Sequence, residues 1–213
     1  MSTTMKSDEL NIVNSEQVVE KRNILPIDKF FNEMYLAESE KRERKDLARK
    51  IFVILSAILT IVKVNETLGN SHDTDYYKEY VTDNLKSVYE GLFGHKYDTQ
   101  IDTFASDFID STMRHIDTEY FTSDDRATVN AEQQTNAIYN RKQYDDAVKS
   151  GKTSKTWVTM HDQRVRKSHV AADGQTVDID KPFMVGGEEL DFPCDPLGSY
   201  KNICNCRCTT VYN

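Results

Sequence analysis

The sequence predicts an α+β fold: a helical N-terminal part, then a small, irregular α+β C-terminal domain with short antiparallel strands. Three observations carry that prediction. Apolar residues recur at steps of three and four from Pro26 to about residue 120, the spacing of helix stripes. After Gly151 the stripes give way to short β-branched and aromatic runs set between Gly, Pro and Asp-Gly signals. Composition changes at the same place. Residues 151–213 hold eight Lys plus Arg and eight acids, five of the eight Gly, three of the four Pro, all four Cys and the only Trp. The whole chain has 27 Lys plus Arg against 35 Asp plus Glu, a net charge of −8, so the entire acidic excess belongs to residues 1–150.

Taken in order, residues 1–24 are polar and aperiodic and are expected to form a flexible arm. A helical domain is expected over 25–122. Pro26 opens a short amphipathic stretch carrying Phe30, Phe31, Met34 and Leu36. Glu38 to Lys50 mixes charges of both signs among good helix formers, so Lys41-Arg42-Glu43-Arg44-Lys45 is expected to be a solvated face. Leu47, Ile51, Leu55, Ile58 and Val62 then form one stripe, widened by Phe52, Val53, Ile54 and Leu59, which marks a helix central to the core. Gly69-Asn70 signals its end, and Asp73 or Thr74 starts the next helix. That helix carries Tyr77, Val81, Leu85, Val88 and Leu92 and is closed by Gly91 and Gly94. Phe104, Phe108, Ile109, Met113 and Ile116 face a third.

The Thr122-Ser123-Asp124-Asp125 cluster caps a polar helix from Ala127 to Lys149. Its apolar residues Val129, Ile138, Tyr139 and Val148 are sparse, so it is expected to be half exposed and to end at Gly151. Strands are expected over 156–160 and 176–180, with Asp173-Gly174 as the turn before the second. A hairpin turns on Gly186-Gly187 between Met184-Val185 and Leu190 to Phe192, and a last strand runs from Cys206 to Val211.

Several classes of function are disfavoured at once. A 213-residue chain that is 38% hydrophobic and 29% charged is sized for one domain or two small ones with a real core. Its acidic balance repels a phosphate backbone, so broad DNA binding is not expected. The longest apolar run, Ile51 to Val62, is closed by Lys50 and Lys63 and is shorter than the roughly 20 residues of a membrane span. Met1 to Asn14 lacks the apolar centre of a signal peptide. Neither secretion nor a membrane partner is expected.

Two groups of residues are candidates for chemistry. Cys204, Cys206 and Cys208 alternate with other residues, so a strand would aim all three sulfurs to one side. Full extension would set successive ones roughly 6.6 Å apart. That is too far to share one zinc with bonds of about 2.3 Å, so metal binding demands a bulge or turn there. Cys194 is a candidate fourth thiol, and His169 or His161 a candidate nitrogen ligand; soft sulfur with nitrogen favours zinc. A disulfide or plain buried thiols compete with that reading. His161, Asp162 and His169 form the second group, a general base with an orienting carboxylate for a small toxin-like or nuclease enzyme. Against it, Asp162 suits the cap of a turn, the nearby Arg residues suit ion pairs, and no Gly-rich phosphate loop exists. Trp157 is expected to anchor the small domain's core.

The order of residues after 122 adds a further signal. Asp125-Arg126-Ala127 opens the polar helix, with Glu132 and Asn140 inside it; Gly151, Lys155-Thr156-Trp157, Asp162-Gln163-Arg164-Val165-Arg166, Ser168-His169 and Asp173-Gly174-Gln175 follow. Phe183, Val185-Gly186-Gly187, Pro193 and Asn205-Cys206-Arg207-Cys208 complete the series. Over about residues 123–213 this resembles the phage Mu F-like minor head protein family, also called the phage head morphogenesis domain, with Trp157, Asp162, Arg164 and Asn205 as structural anchors. The resemblance implies a virion component rather than an enzyme. It would be a minor capsid protein of a tailed bacteriophage, made in the host cytoplasm and sited in the head interior or portal region. Its partners would be portal or capsid proteins, with weak contact to packaged DNA. The alternatives are the small enzyme above and a DNA-associated internal protein ejected with the genome. Some relatives carry a Cys pair where Arg166 and His169 stand here, which with Cys206 and Cys208 implies a four-thiolate zinc site. Arg166 stays protonated and cannot bind metal. A site in this chain would then use His169, Cys206 and Cys208 with a fourth ligand from Cys194, Asp162 or Cys204, or else be a hydrogen-bonded cluster of the same shape.

Overall fold

The structure, a computed structural model, describes residues 26–213; the expected arm at 1–24 lies outside the described residues. Five helices come first: α1 (Pro26–Asn32), α2 (Glu38–Leu68), α3 (Thr74–Phe93), α4 (Asp98–Arg114) and α5 (Asp124–Lys149). The remainder alternates short elements: β1 (Ser154–Val158), α6 (Lys167–Ala172), β2 (Thr176–Asp178), β3 (Phe183–Val185), β4 (Glu188–Leu190), α7 (Tyr200–Ile203) and β5 (Thr209–Tyr212). A helical part followed by short antiparallel strands is the predicted α+β arrangement.

The charged run and the apolar run form one 31-residue helix, α2. Leu47, Ile51, Leu55, Ile58 and Val62 are all buried, as their spacing requires. Removing each such side chain from water stabilises the fold by about 1.5–3 kcal/mol before entropy is counted. Gly69 ends α2 in the left-handed region at φ 66°, and Asn70 donates to the Asn65 carbonyl at 2.9 Å. Asp73 caps α3 by accepting from the Tyr76 amide at 2.9 Å. The buried face of α3 is Tyr77, Val81, Leu85 and Tyr89; the expected continuation to Leu92 fails, with that side chain 47% exposed. Steps of four carry the face to Tyr89 and on to Phe93, whose ring packs edge-on against Tyr139 of α5. In α4, Phe108 and Ile109 are buried as expected, while Phe104 and Met113, with Ile116 past its end, only flank the core.

Two expectations are corrected. Arg44, placed in a solvated face, is 0% exposed. It stands three residues before Leu47, on the same helix face, and meets α5. The half-exposed helix is instead the central element of the molecule. Its buried face consists of Ala127, Ala131, Thr135, Asn136, Ile138, Tyr139, Asn140 and others, too polar and too small to register as a stripe. α5 packs on α2 and, through Asn136 and Asn140, also holds the Cys206 and Pro193 carbonyls of the strand part.

The three-stranded sheet runs β2-β1-β5, all antiparallel, with Thr156 opposite Thr176 and Trp157 opposite Thr210. Lys155 and Trp157 point inward from β1. β3 and β4 pair across Gly186-Gly187, at φ 59° and 84°. Gln175 joins the two sheets: its side-chain oxygen accepts from the Met184 amide at 2.7 Å and its nitrogen donates to the Met184 carbonyl at 3.3 Å. The predicted final strand starts later than expected. Cys206 and Cys208 precede β5 in an irregular segment that Asn205, at φ 52°, turns back on itself.

Candidate functional site

His169 lies on α6, 2% exposed, beneath the edge of the Trp157 ring. Its Nδ1 is 3.4 Å from the Cys208 sulfur and 3.7 Å from that of Cys206. All three donor atoms lie within 4.8 Å of one another, and all three residues are buried. Cys206 and Cys208 lie in the irregular segment between the turn at Asn205 and the start of β5, not on the extended strand that sets such sulfurs apart. A zinc ion bonded at about 2.0 Å to nitrogen and 2.3 Å to sulfur sets nitrogen–sulfur edges of roughly 3.5 Å. The observed separations fit those edges, and the soft, buried donor set fits zinc. They also fit sulfur hydrogen bonds to an imidazole. The Nε2 of His169 has no partner among the described residues.

Within the cluster the thiols are unequal. Cys206 is drawn well below its ordinary range, first by Cys194, then by Cys208 and His169, which hydrogen-bond to its thiolate. Cys194 and Cys208 are pushed up, in each case chiefly by Cys206.

The loop 159–166 frames the cluster. Asp162 accepts from the Arg164 amide at 3.0 Å, capping the turn, accepts from Arg207 Nη2 at 2.8 Å and pairs with its Nη1 at 2.8 Å. That fork holds its carboxyl down to about 2. Arg164 pairs with Glu33 and so ties this loop to the segment after α1. Arg166 donates to the Cys204 carbonyl. Asp173 accepts from the Thr159 amide at 2.8 Å, which fixes the other end of the loop. Of the expected anchors, Trp157 is buried, Asp162 and Arg164 act through ion pairs, and Asn205 is exposed and acts through its backbone.

The alternative fourth ligands are placed differently. Both oxygens of Asp162 are engaged with Arg207, and the Cys204 thiol sits beside the Tyr200 hydroxyl, which it pushes up to about 12. Cys194 belongs to the same apolar cluster as Cys206 and Cys208, with its sulfur 3.4 Å from the Cys206 carbonyl. His161, Asp162 and His169 do not form a catalytic relay. His161 reaches Asp173 at 3.4 Å, Asp162 holds Arg207, and His169 faces the sulfurs.

A polar seam that the sequence did not expose joins this site to the helices. Asn136 donates to the Cys206 carbonyl at 2.8 Å and accepts from Arg44. Asn140 donates to the Pro193 carbonyl at 2.8 Å and accepts from Arg44 at 3.2 Å. Glu40 receives the same guanidinium at 2.6 Å. The spacing of Asn136 and Asn140, one helical turn apart, was the available signal.

Comparison with known proteins gives two findings. Over 78 residues the chain is 32% identical to the NAD(+)--arginine ADP-ribosyltransferase EFV of Enterococcus faecalis (strain ATCC 700802 / V583), a stretch that is 36% of this chain and 16% of that enzyme. The chain thus spans about a sixth of the length of the curated relative it matches. No solved structure matches it. The second finding is a family model, described as Phage Mu protein F like protein, that matches residues 85–211, from within α3 to β5. Since that match takes in α4, α5, both sheets and the whole cysteine–histidine cluster, this chain belongs to the Phage Mu protein F like family of phage head morphogenesis proteins.

Proposed function

We propose that this chain is a minor head protein of a tailed bacteriophage, acting through contacts with portal and capsid proteins during procapsid assembly rather than through catalysis. The family match over residues 85–211 carries the proposal. The build of the molecule supports it: the reactive side chains are sealed inside, and the polar seam locks α2, α5 and the strands into one block. Among the described residues no helix is long and apolar enough to cross a membrane. The chain should be found by mass spectrometry in purified virions or procapsids of a phage encoding it, at low copy relative to the shell protein. Virions and procapsids free of it refute the proposal.

In the same reading His169, Cys206 and Cys208 hold a structural zinc ion. When bound, the ion cross-links α6 to the segment before β5. Protein purified without a histidine tag should contain about one zinc per chain and melt lower after chelation. Metal-free protein of unchanged stability removes zinc from the account.

The likeness to part of an ADP-ribosyltransferase motivates a second reading, in which the chain has enzyme activity of its own. Assays of NAD+ breakdown and of DNA and RNA cleavage, with His169→Ala as control, separate the two. Turnover that is lost in a folded variant would replace the head-protein reading, and absence of turnover supports it. DNA binding that falls steeply with salt would add packaged DNA to the partners.

A further inference from the structure

We propose that Cys194 is the fourth donor of the His169–Cys206–Cys208 site, completing a three-thiolate, one-imidazole set, and that Asn136 is the positioning residue that orients it. The inference rests on the metal reading above and deepens it.

The backbone makes the first argument. Cys194 sits at φ 63°, in the left-handed region, between Pro193 and Asp195. A side chain there carries backbone strain that glycine would not. Strain of this kind persists where the surrounding structure holds a side chain for a purpose. His161 and Asn205, the other two non-glycine residues in that region among those described, frame the same cluster.

The thiol's surroundings make the second. Cys194 is 2% exposed, its sulfur turned to the Cys206 carbonyl at 3.4 Å and the Ile203 carbonyl at 3.8 Å, so it has to swing away from those carbonyls to join the three donors that already lie within 4.8 Å of one another. The Asn136 amide lies 3.7 Å from that sulfur while donating to the Cys206 carbonyl at 2.8 Å. One side chain therefore orients both the candidate ligand and the backbone of its neighbour. Asn136 is itself fixed by Arg44. Such outer donors set ligand direction and tune affinity.

Elimination makes the third. Asp162 is committed to Arg207 and Arg166 to a carbonyl, and Cys204 lies outside the buried cluster that holds Cys194, Cys206 and Cys208. A closed structural zinc site takes four protein ligands, and three cysteines with one histidine is a standard set.

The test uses the full chain, reduced and untagged, with cobalt(II) alone as the probe. The wild type should take up one cobalt ion and show sulfur-to-cobalt charge-transfer absorption sized for three thiolates. Cys194→Ser should lower that band to about two-thirds and weaken affinity about tenfold or more. Cys194→Gly should do the same while relieving the backbone strain, which guards against a variant that merely fails to fold. Cys204→Ser should change neither. Asn136→Ala should keep the three-thiolate band and weaken affinity. If both Cys194 variants bind cobalt with the wild-type band and affinity, Cys194 is not a ligand. If the wild type takes up no cobalt, the metal reading itself falls.

Discussion

Glu132 faces inward from α5, and burial alone lifts its carboxyl from the ordinary 4.5 to about 7. The folded state therefore binds its proton more tightly than the unfolded chain. Its penalty is absent below about pH 4, grows as pH rises through 7 and is constant above that. Glu132→Gln should leave the melting temperature unchanged at pH 4 and raise it at pH 8, by up to about 3 kcal/mol in stability. Equal effects at both pH values would count against a buried, unpaired carboxyl. Gly186 gives a second test at this scale. A Cβ there would lie 2.9 Å from Asn202 Oδ1 and 3.0 Å from Ser168 Cβ, whereas Gly187 has open space. Both sit at positive φ, so each alanine costs about 1 kcal/mol in backbone strain. Gly186→Ala should cost roughly 1–2 kcal/mol more in urea denaturation, because Asn202 must give up its bonds to Val185 and Ser168.

At the scale of elements, the contact between α2 and α5 is part apolar and part polar, and the polar part has one pivot. Arg44 is buried against Glu40, Asn136 and Asn140, with its guanidinium 4.9 Å from the centre of the Tyr139 ring. Arg44→Met keeps the length of the side chain but strands two buried amide oxygens and a carboxylate. A loss of about 3–5 kcal/mol in chemical denaturation is expected, the size of breaking a buried pair from one side. A loss under 1 kcal/mol would mean that the seam is wet. α2 itself was legible as a core helix because its stripe is strongly apolar. α5 was legible as a helix from Ser123 and Gly151, yet not as a core element, because alanine, threonine and asparagine carry no hydrophobic period.

For the whole molecule, the shared helix decides what can stand alone. α5 closes the helical core through Ala127, Ala131, Ile138 and Tyr139 and also carries the strand part through Asn136 and Asn140. The family match begins within α3, ahead of that helix. A fragment of residues 123–213 should therefore melt well below the full chain, since it exposes the face of α5 that α2 covers. A fragment that melts at the same temperature would show that the strand part draws nothing from α2. The block has an uneven surface charge: with the acidic excess confined to residues 1–150, any partner met by the helical face is expected to be basic.

Local pattern by itself determined the fold class, the helix boundaries at Gly69 and Asp73, the hairpin at Gly186-Gly187 and the family, because caps, turns and stripes are short-range features. It also nominated His169, Cys206 and Cys208 together. Only the tertiary structure decided that these three share one buried pocket, that Cys194 lies beside them while Asp162 is spent on Arg207, and that Arg44 is inside. Those outcomes depend on residues 12 to 96 positions apart meeting in space. No periodicity along the chain encodes such a distance; packing around α5 sets it.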